Sequence, residues 1–475
     1  MSIDNKSESA LKAGIWYTIS AIIIKAINII TTPIFTRMMD TNDYGLAQTF
    51  TSWSTLLIIF SSLNLMYSIG RAKLDFPGQF DRFIGSLQIL SLFPSLLISA
   101  ALIIFIDPLS NFMELNRPLM YLLALVIIAN PAITFWQSKN KYTYNYKGNI
   151  AISAYSAIVP VIFTLVLMLN MDHDRYLGKV MGYVIPIVML STFFWILSIK
   201  KKTLCANTTY WSYGLKISLP LIFHSLSLSL LSQSDRIMIT KYIGADKTAI
   251  YSLAYNYAVL INIFLSSVNE AWMPWFHDNL FAGNTNDIRE KVKPLIMFGC
   301  MLGIGCIALA PEAIFILGPE EYQAGKWVVG PVTLGIICQF LYQQYVHIEL
   351  HEKKTQYISF GTMLAGGLNV VLNLIFIPRF GYIAAAYTTM FCYFLLMFIH
   401  LFITRKLFKI RLYNDVYVFG ALAVSAAFTV LFMTLYDRTI IRLIVLFLTC
   451  ILYLVINKNI ILNYISTKLR KGGKK

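Results

Sequence analysis

The sequence predicts an all-α polytopic membrane protein of about fourteen transmembrane helices, and three observations carry that prediction. Of its 475 residues 57% are hydrophobic and only 13% charged, whereas a soluble protein carries about 25% charged residues. Apolar windows of about 18 to 25 residues recur to the end of the chain without a soluble-sized polar stretch, leaving no room for an aqueous domain. Cationic residues, finally, are concentrated in alternate loops, as the positive-inside rule requires.

Apolar runs between charged loops centre near Lys25, Leu57, Phe93, Ile128, Ile158, Pro186, Leu226, Leu260, Gly305, Leu334, Val370, Phe394, Ala426 and Leu448. The run after the polar leader Ser2 to Lys12 is too long for a signal-peptide core and lacks a small-residue cleavage site, so it reads as a retained helix. With the N-terminus placed in the cytoplasm, 26 Lys and Arg residues fall inside. Nine fall outside: Arg37, Arg117, Arg175, Lys241, Lys247, Lys326, Arg379, Arg438 and Arg442. Both termini are therefore expected in the cytoplasm of a multi-pass protein of the bacterial cytoplasmic membrane. The formal charge of +16 is spread over loops rather than gathered in one domain. That favours an orientation signal and contact with anionic phospholipid over nucleic-acid binding.

The basic segment 200–213 separates spans one to six from spans seven to twelve. An even number of spans starts both halves on the same side, as parallel repeats require. The expected division is an N-terminal lobe at 1–199, a cytoplasmic linker at 200–213, a C-terminal lobe at 214–404, and two additional helices with a basic tail at 405–475. Asp40-Thr-Asn-Asp-Tyr-Gly-Leu-Ala after span one and Gly244-Ala-Asp-Lys-Thr-Ala-Ile-Tyr-Ser-Leu-Ala after span seven are matching polar turns, each opening the next helix.

Candidate functional residues come from polar positions at helical spacing in the first two spans of each half. Thr18, Lys25, Asn28, Thr32 and Thr36 share one face of span one. Lys25 lies about ten residues, roughly 15 Å, from the start of that span, at mid-bilayer depth. A charge there costs about 2.5 to 3.5 kcal/mol on insertion scales, so it should face a cavity, a partner or a ligand. Span two presents Ser54, Ser61, Asn64, Ser68 and Arg71, span seven Ser225, Ser229, Ser232 and Arg236, and span eight Tyr255, Asn262, Ser266 and Asn269. Small and hydroxylated residues also mark plain helix contacts, worth about 0.6 kcal/mol per hydrogen bond, but such contacts do not require cations. Asp235 and Arg236 are neighbours about 100° apart on a helix, so at least one needs a partner elsewhere. Glu270 and Arg71 lie near the cytoplasmic ends of spans eight and two, as a facing gate or as solvated headgroup contacts. Together the stripes predict one polar substrate pathway.

Other chemistry is weakly signalled. Asp172-His173-Asp174 reads as a solvated outer turn, and His347 and His351 as residues of a cytoplasmic loop. The six cysteines form no C-x-x-C pair. A P-loop sequence is absent. No metal and no cofactor is expected, and the coupling ion, Na+ or H+, is left open.

Several stretches resemble the bacterial polysaccharide flippases of the multidrug/oligosaccharidyl-lipid/polysaccharide (MOP) superfamily. These are Thr32-Pro-Ile-Phe-Thr-Arg-Met with Asp43-Tyr-Gly-Leu and Trp53; Ser234-Asp-Arg-Ile-Met-Ile with Tyr242-Ile-Gly-Ala and Tyr251-Ser-Leu-Ala-Tyr; Glu270-Ala-Trp-Met-Pro-Trp; and Leu368-Asn-Val-Val-Leu-Asn with Ile377-Pro-Arg-Phe-Gly-Tyr-Ile-Ala-Ala-Ala. The likeness runs from about Gly14 to Leu401. It implies two six-helix lobes in parallel repeat plus two peripheral C-terminal helices, around a cavity that opens alternately to either side. It also implies an undecaprenyl-diphosphate-linked oligosaccharide as cargo, with the polymerase and glycosyltransferases of the same pathway as partners. A cationic, hydroxyl-rich path suits a diphosphate bearing a sugar, and Lys25 is expected to meet that diphosphate or else to pair with Asp235 or Glu270. Arginine clusters of the lipid II flippases are not evident in span one, which favours a capsular, O-antigen or exopolysaccharide unit. The alternatives are a cation-coupled drug antiporter of the same superfamily, which would favour buried carboxylates, and a membrane enzyme of glycan assembly, a polymerase or ligase, which would need a sizeable outer loop.

The loop asymmetry yields a direct test. In single-cysteine variants of intact cells, positions Ser2, Lys201 and Lys474 should be shielded from an impermeant thiol reagent, and Asp107, Asp174 and Asp437 should react. Labelling at position 201 from outside would overturn both the orientation and the repeat.

Overall fold

The computed structural model describes residues 27 and 29–458, and every regular element among them is helical. The first predicted span contributes a helical stretch at 29–38 (α1), while Lys25 and Asn28 lie outside the described residues. There follow α2 (Thr41–Ser62), α3 (Met66–Asp75), α4 (Phe80–Ile104), α5 (Ile106–Met113), α6 (Arg117–Tyr142), α7 (Tyr146–Leu169), α8 (Arg175–Lys200) and α9 (Thr208–Tyr242). The chain continues through α10 (Ala245–Val259), α11 (Ile261–Phe281), α12 (Thr285–Ala308), α13 (Ala310–Leu317), α14 (Lys326–His351), α15 (Thr355–Phe380), α16 (Ile383–Phe402), α17 (Asp415–Thr434) and α18 (Thr439–Ile456). Thirteen helical segments among the described residues are long and apolar enough to cross a membrane, with α2–α3 and α10–α11 each counting as one.

Short polar residues set where these helices begin. Asp40 accepts from the Asp43 amide at 2.7 Å, Asn116 from Leu119 at 3.2 Å, Asn207 from Tyr210 at 3.1 Å and Asn414 from Val416 at 3.1 Å. Each satisfies an amide that has no partner within its own helix. The segments after spans one and seven, matched in the sequence, do open α2 and α10. Spans two and eight, read as continuous helices, are instead broken. Leu63 and Asn64 take φ of 48° and 51° between α2 and α3, and Leu260 interrupts α10 and α11. The expected single stripe over Ser54, Asn64 and Arg71 is therefore split.

The described chain packs as two compact units that are discontinuous in sequence. The first comprises Met1–Ser252, Ile316–Tyr322 and Thr362–Ala385, and the second Leu253–Phe315, Gln323–Gly361 and Ala386–Lys475. They divide the chain differently from the halves read off its loop charges, because α9 and most of α15 pack in the first unit.

Within the first unit, Leu65, Ile69, Phe83, Leu87, Phe135 and Tyr210 form a buried core that roots the start of α9 on α3 and α4. Phe76 stacks on Phe83 at 5.5 Å, and Tyr210 and Tyr213 meet Phe76 edge-on at 5.0 Å. Trp211 Nε1 donates to the Ser86 carbonyl at 3.0 Å. The segment read as a linker thus contains the packed beginning of α9. Close helix crossings depend on small residues. A Cβ on Gly45 would sit 1.7 Å from the Ala245 carbonyl oxygen, and one on Gly182 would sit 2.5 Å from Thr164 Cα.

The second unit corrects one assignment. Arg442, counted above as an outer-loop cation, lies in α18, is fully buried, pairs with Glu312 and donates to the Tyr436 carbonyl at 3.1 Å. The helix that buries it is otherwise turned outward, exposing Ile440, Ile444, Phe447, Leu448 and Val455, as suits a helix facing lipid. At the other end of this unit, Arg289 donates to the carbonyls of Leu412 at 3.2 Å and Arg411 at 3.1 Å.

Because Gly45 faces backbone, Gly45→Val should lower stability by about 1–3 kcal/mol or more through overpacking. Gly305→Ala, with nothing within 4 Å of the added carbon, should leave it within about 0.5 kcal/mol. Thermal unfolding of the two variants in detergent checks the pair, and equal midpoints would contradict the crossing.

Candidate functional site

In the first unit α2 and α9 run antiparallel and meet along polar side chains. Thr49 Oγ1 bonds Thr240 Oγ1 at 2.6 Å, Ser52 Oγ donates to Gln233 Oε1 at 3.1 Å, and Asn64 Nδ2 donates to the Leu221 carbonyl at 3.3 Å. Thirteen of the fifteen steps from Thr49 to Asn64 lie in α2, so the seam runs over roughly 20 Å at 1.5 Å per residue. Thr240 Oγ1 also bonds Thr248 Oγ1 at 2.6 Å, carrying the seam onto α10.

The expected residues relate to this seam unequally. Asn64 belongs to it, at the break after α2. Thr32, Ser225 and Ser229 are half-buried, and Ser232 Oγ donates to the Ser229 carbonyl at 3.2 Å. Ser54 and Ser61 bond back to carbonyls of their own helix. Arg71 is exposed and pairs with Asp75 at 3.3 Å, a carboxylate that also accepts from the Tyr213 hydroxyl at 2.7 Å. Thr49, Ser52, Gln233 and Thr248 were not singled out in the sequence, although a glutamine in an apolar span was a readable signal.

Asp235 and Arg236 both lie deep in this unit, 0% and 4% exposed. Asp235 accepts from the Tyr251 hydroxyl and, at 2.6 Å, from Asn373 Nδ2. Asn369 Oδ1 accepts from Ser234 at 3.0 Å and from Asn373 at 3.2 Å, extending the group along α15. Arg236 Nε donates to Ser252 Oγ at 3.1 Å, and Nη1 donates to the Ser232 carbonyl at 2.6 Å and to Gln233 Oε1 at 3.5 Å. The guanidinium thus stands behind Gln233 on the seam. Asn369 and Asn373, four apart in an apolar span, share one helix face and were the sequence signal for this group. Lys179 is a further residue the stripes did not include. Its ammonium lies 4.2 Å from the Phe35 ring centre and 4.8 Å from that of Tyr44.

The span-eight stripe falls in the second unit. Tyr255 is buried and Asn262 half-buried, whereas Ser266 and Glu270 are exposed. Ser266 bonds back to the Ile263 carbonyl at 3.2 Å. Asn269 Oδ1 accepts from Gln344 Nε2 at 3.3 Å and faces His347 Nε2 at 2.9 Å. That contact corrects the reading of His347 and His351 as loop residues, since α14 runs on to His351, His347 is 4% exposed, and His351 stacks on His277 at 5.8 Å. Asp172, His173 and Asp174 form an exposed turn, as expected. Among the described residues no three His, Cys, Asp or Glu side chains are grouped to hold a metal ion.

Residues 10–280 match the family of polysaccharide biosynthesis proteins. An uncharacterized membrane protein of Methanocaldococcus jannaschii is 21% identical over 449 residues, 86% of this chain and 87% of its own length. Among solved structures, the lipid II flippase MurJ in an inward closed conformation aligns over 94% of this chain and all of its own, with 15% identity and a TM-score of 0.72. An inward-facing multidrug resistance MATE family transporter of the MOP superfamily aligns over 88% of this chain and 98% of its own, with 13% identity and a TM-score of 0.61. At such identities the likeness establishes a common helical fold, one shared by transporters. The family match spans more than half of the chain, and the protein belongs to the polysaccharide biosynthesis protein family, on the fold of the MOP-superfamily flippases and transporters.

Proposed function

We propose that the protein is a flippase that moves undecaprenyl-diphosphate-linked oligosaccharide repeat units from the cytoplasmic to the outer leaflet by alternating access, for surface polysaccharide biosynthesis. The observation that carries this reading is the hydroxyl and amide seam between α2 and α9. Hydrogen bonds of this kind in a membrane contribute about 0.6 kcal/mol each, and water or a sugar hydroxyl replaces them when the helices part. A polar seam can therefore open and close at small cost, which interdigitated apolar side chains resist.

The cations favour an anionic cargo. Lys179 is held by aromatic faces, and among the described residues no carboxylate lies within ion-pair distance of its ammonium. Cation–π contact leaves the charge able to attract a phosphate. Arg236 lies behind Gln233 on the seam, and Lys25 is proposed to extend the same cationic path. A cationic drug would instead require an open carboxylate, and Asp235 is buried beneath the Tyr251 and Asn373 donors. Enzymatic glycan assembly has little support, because the longest stretches outside any α, 3-10 or π helix among the described residues are 201–207 and 408–414. Both termini are proposed to be cytoplasmic, with anionic phospholipid at the basic loops and the pathway's polymerase and glycosyltransferases as partners.

Deletion of the protein should leave lipid-linked repeat units on the cytoplasmic leaflet while their synthesis continues. Unimpaired surface polymer in a strain with no second flippase would sink the proposal, as would normal outer-leaflet delivery with failed polymerisation. The seam is tested by Thr49→Cys with Thr240→Cys. Oxidation to a disulfide should reduce transport about 10-fold or more if opening of the seam is required, since one inaccessible state stops the cycle, and reductant should restore it. Full transport by the cross-linked protein would show the seam to be a fixed contact.

A further inference from the structure

At the ends of α6 and α8 the first unit gathers cations that the α2–α9 seam does not use. Trp136 of α6 is buried and stacks on Phe194 of α8, with ring centres 5.0 Å apart. The Lys139 ammonium lies 4.3 Å from the centre of the same indole, and that of Lys201 lies 5.7 Å from it. Cation–π contact places both charges without cancelling either. Asp81 of α4 pairs with Lys139 at 2.9 Å, but among the described residues no ion pair engages Lys200, Lys201, Lys202 or Arg82. The cluster therefore stays cationic.

The turn that presents it is fixed. The amides of Lys201, Lys202 and Thr203 bond the carbonyls of Leu197 at 3.0 Å, Ile199 at 2.9 Å and Ser198 at 3.1 Å, and Lys202 takes φ of 52°. These bonds occupy carbonyls at the end of α8, the negative end of the helix dipole, which would otherwise repel an anion. Thr203 then lies against α4, where a Cβ on Gly85 would sit 2.3 Å from its carbonyl oxygen. Packing on α4 thus holds the basic turn in place.

The adjoining surface of α8 is apolar. Met189, Phe193, Ile196 and Lys200 share one face of this helix. The first three are 51%, 56% and 47% exposed, and Lys200 is exposed as well. From Met189 to Lys200 the stripe runs roughly 16 Å, about half of an apolar layer some 30 Å thick, which is the depth of one leaflet. A soluble polyanion would leave this stripe unused, whereas a lipid with an anionic headgroup matches both parts. We propose that Lys200 and Lys201, backed by Trp136 and Lys139, bind the phosphate of one resident anionic phospholipid, with an acyl chain along Met189, Phe193 and Ile196. This lipid is a ligand of the first unit and not cargo, because none of these residues takes part in the α2–α9 seam. The inference gives a place to the lipid contact proposed above and does not depend on the nature of the cargo.

The test uses the full-length protein in detergent, with phosphatidylglycerol as probe and phosphatidylcholine as neutral control, and reads bound lipid by native mass spectrometry. Wild type should retain one phosphatidylglycerol about 10-fold more strongly than phosphatidylcholine. Lys200→Gln with Lys201→Gln should lower that retention about 10-fold or more, since each cation near a headgroup adds to the attraction. Both side chains are exposed, so the fold does not depend on them. Lys201→Arg should keep the lipid. Lys353→Gln with Lys354→Gln removes the same charge from the exposed turn after α14 and should leave retention unchanged. Equal losses in the two double variants would show diffuse attraction only and overturn the site, as would a wild type that does not discriminate between the two lipids. Displacement of phosphatidylglycerol by equimolar undecaprenyl diphosphate would overturn the assignment to a resident lipid and mark a cargo contact instead. Flipping is not read in this experiment, so its failure is distinct from failure of the flippase reading.

Discussion

In an apolar layer a polar group that leaves its helix finds no water, so every departure from regular helix has to be answered by another part of the protein. This constraint organises the structure. Where α2 breaks at Leu63 and Asn64, the side chain of Asn64 turns to the Leu221 carbonyl on α9. The same interaction closes one end of the α2–α9 seam, so the irregularity and the contact are one feature. A π-turn after His400, Ile403–Leu407, obeys the same rule, with Thr404 supplying a hydrogen bond to the carbonyl of His400.

Charges follow a stricter version of it. Three charges are met in three ways: Asp235 accepts from Tyr251 and Asn373 among its contacts, Arg442 is held by Glu312 and a carbonyl, and the half-buried Lys179 lies over two aromatic faces. These solutions differ in how readily they release the charge. An ion pair between two fixed helices is hard to dissolve without cost, whereas a cation held over aromatic rings has no counter-charge to leave behind. The division supports a structural role for Arg442.

Hydrophobic residues sort themselves on simpler terms. In α18 Arg442 is the buried residue, and the exposed face is aliphatic and aromatic. Gly45 and Gly182 let helices approach until a methyl group would meet backbone, and that proximity brings hydroxyls such as Thr164 and those of the seam within reach of neighbouring helices. Packing of small residues and pairing of polar ones are thus two consequences of the same short distance.

The helical class, the spans within the described residues and the turn at Asp40 that opens α2 were legible in the sequence. Those properties depend on local composition, hydrophobic length and capping, all of which act within a few residues. The sequence also marked Asn64, Asp235 and Arg236, since polar groups in an apolar span stand out wherever they occur. Tertiary structure alone decided their partners. Nothing local tells that Asn64 bonds Leu221, that Asn373 approaches Asp235, or that His400 reaches Glu349 across 51 positions. Arg442 and His347 were misread as loop residues for a related reason: a polar side chain near the end of an apolar run looks solvated until the helix and the partner that bury it are known. Side-chain periodicity records which residues share a face of one helix, but the identity of the helix opposite is set by packing over the whole unit.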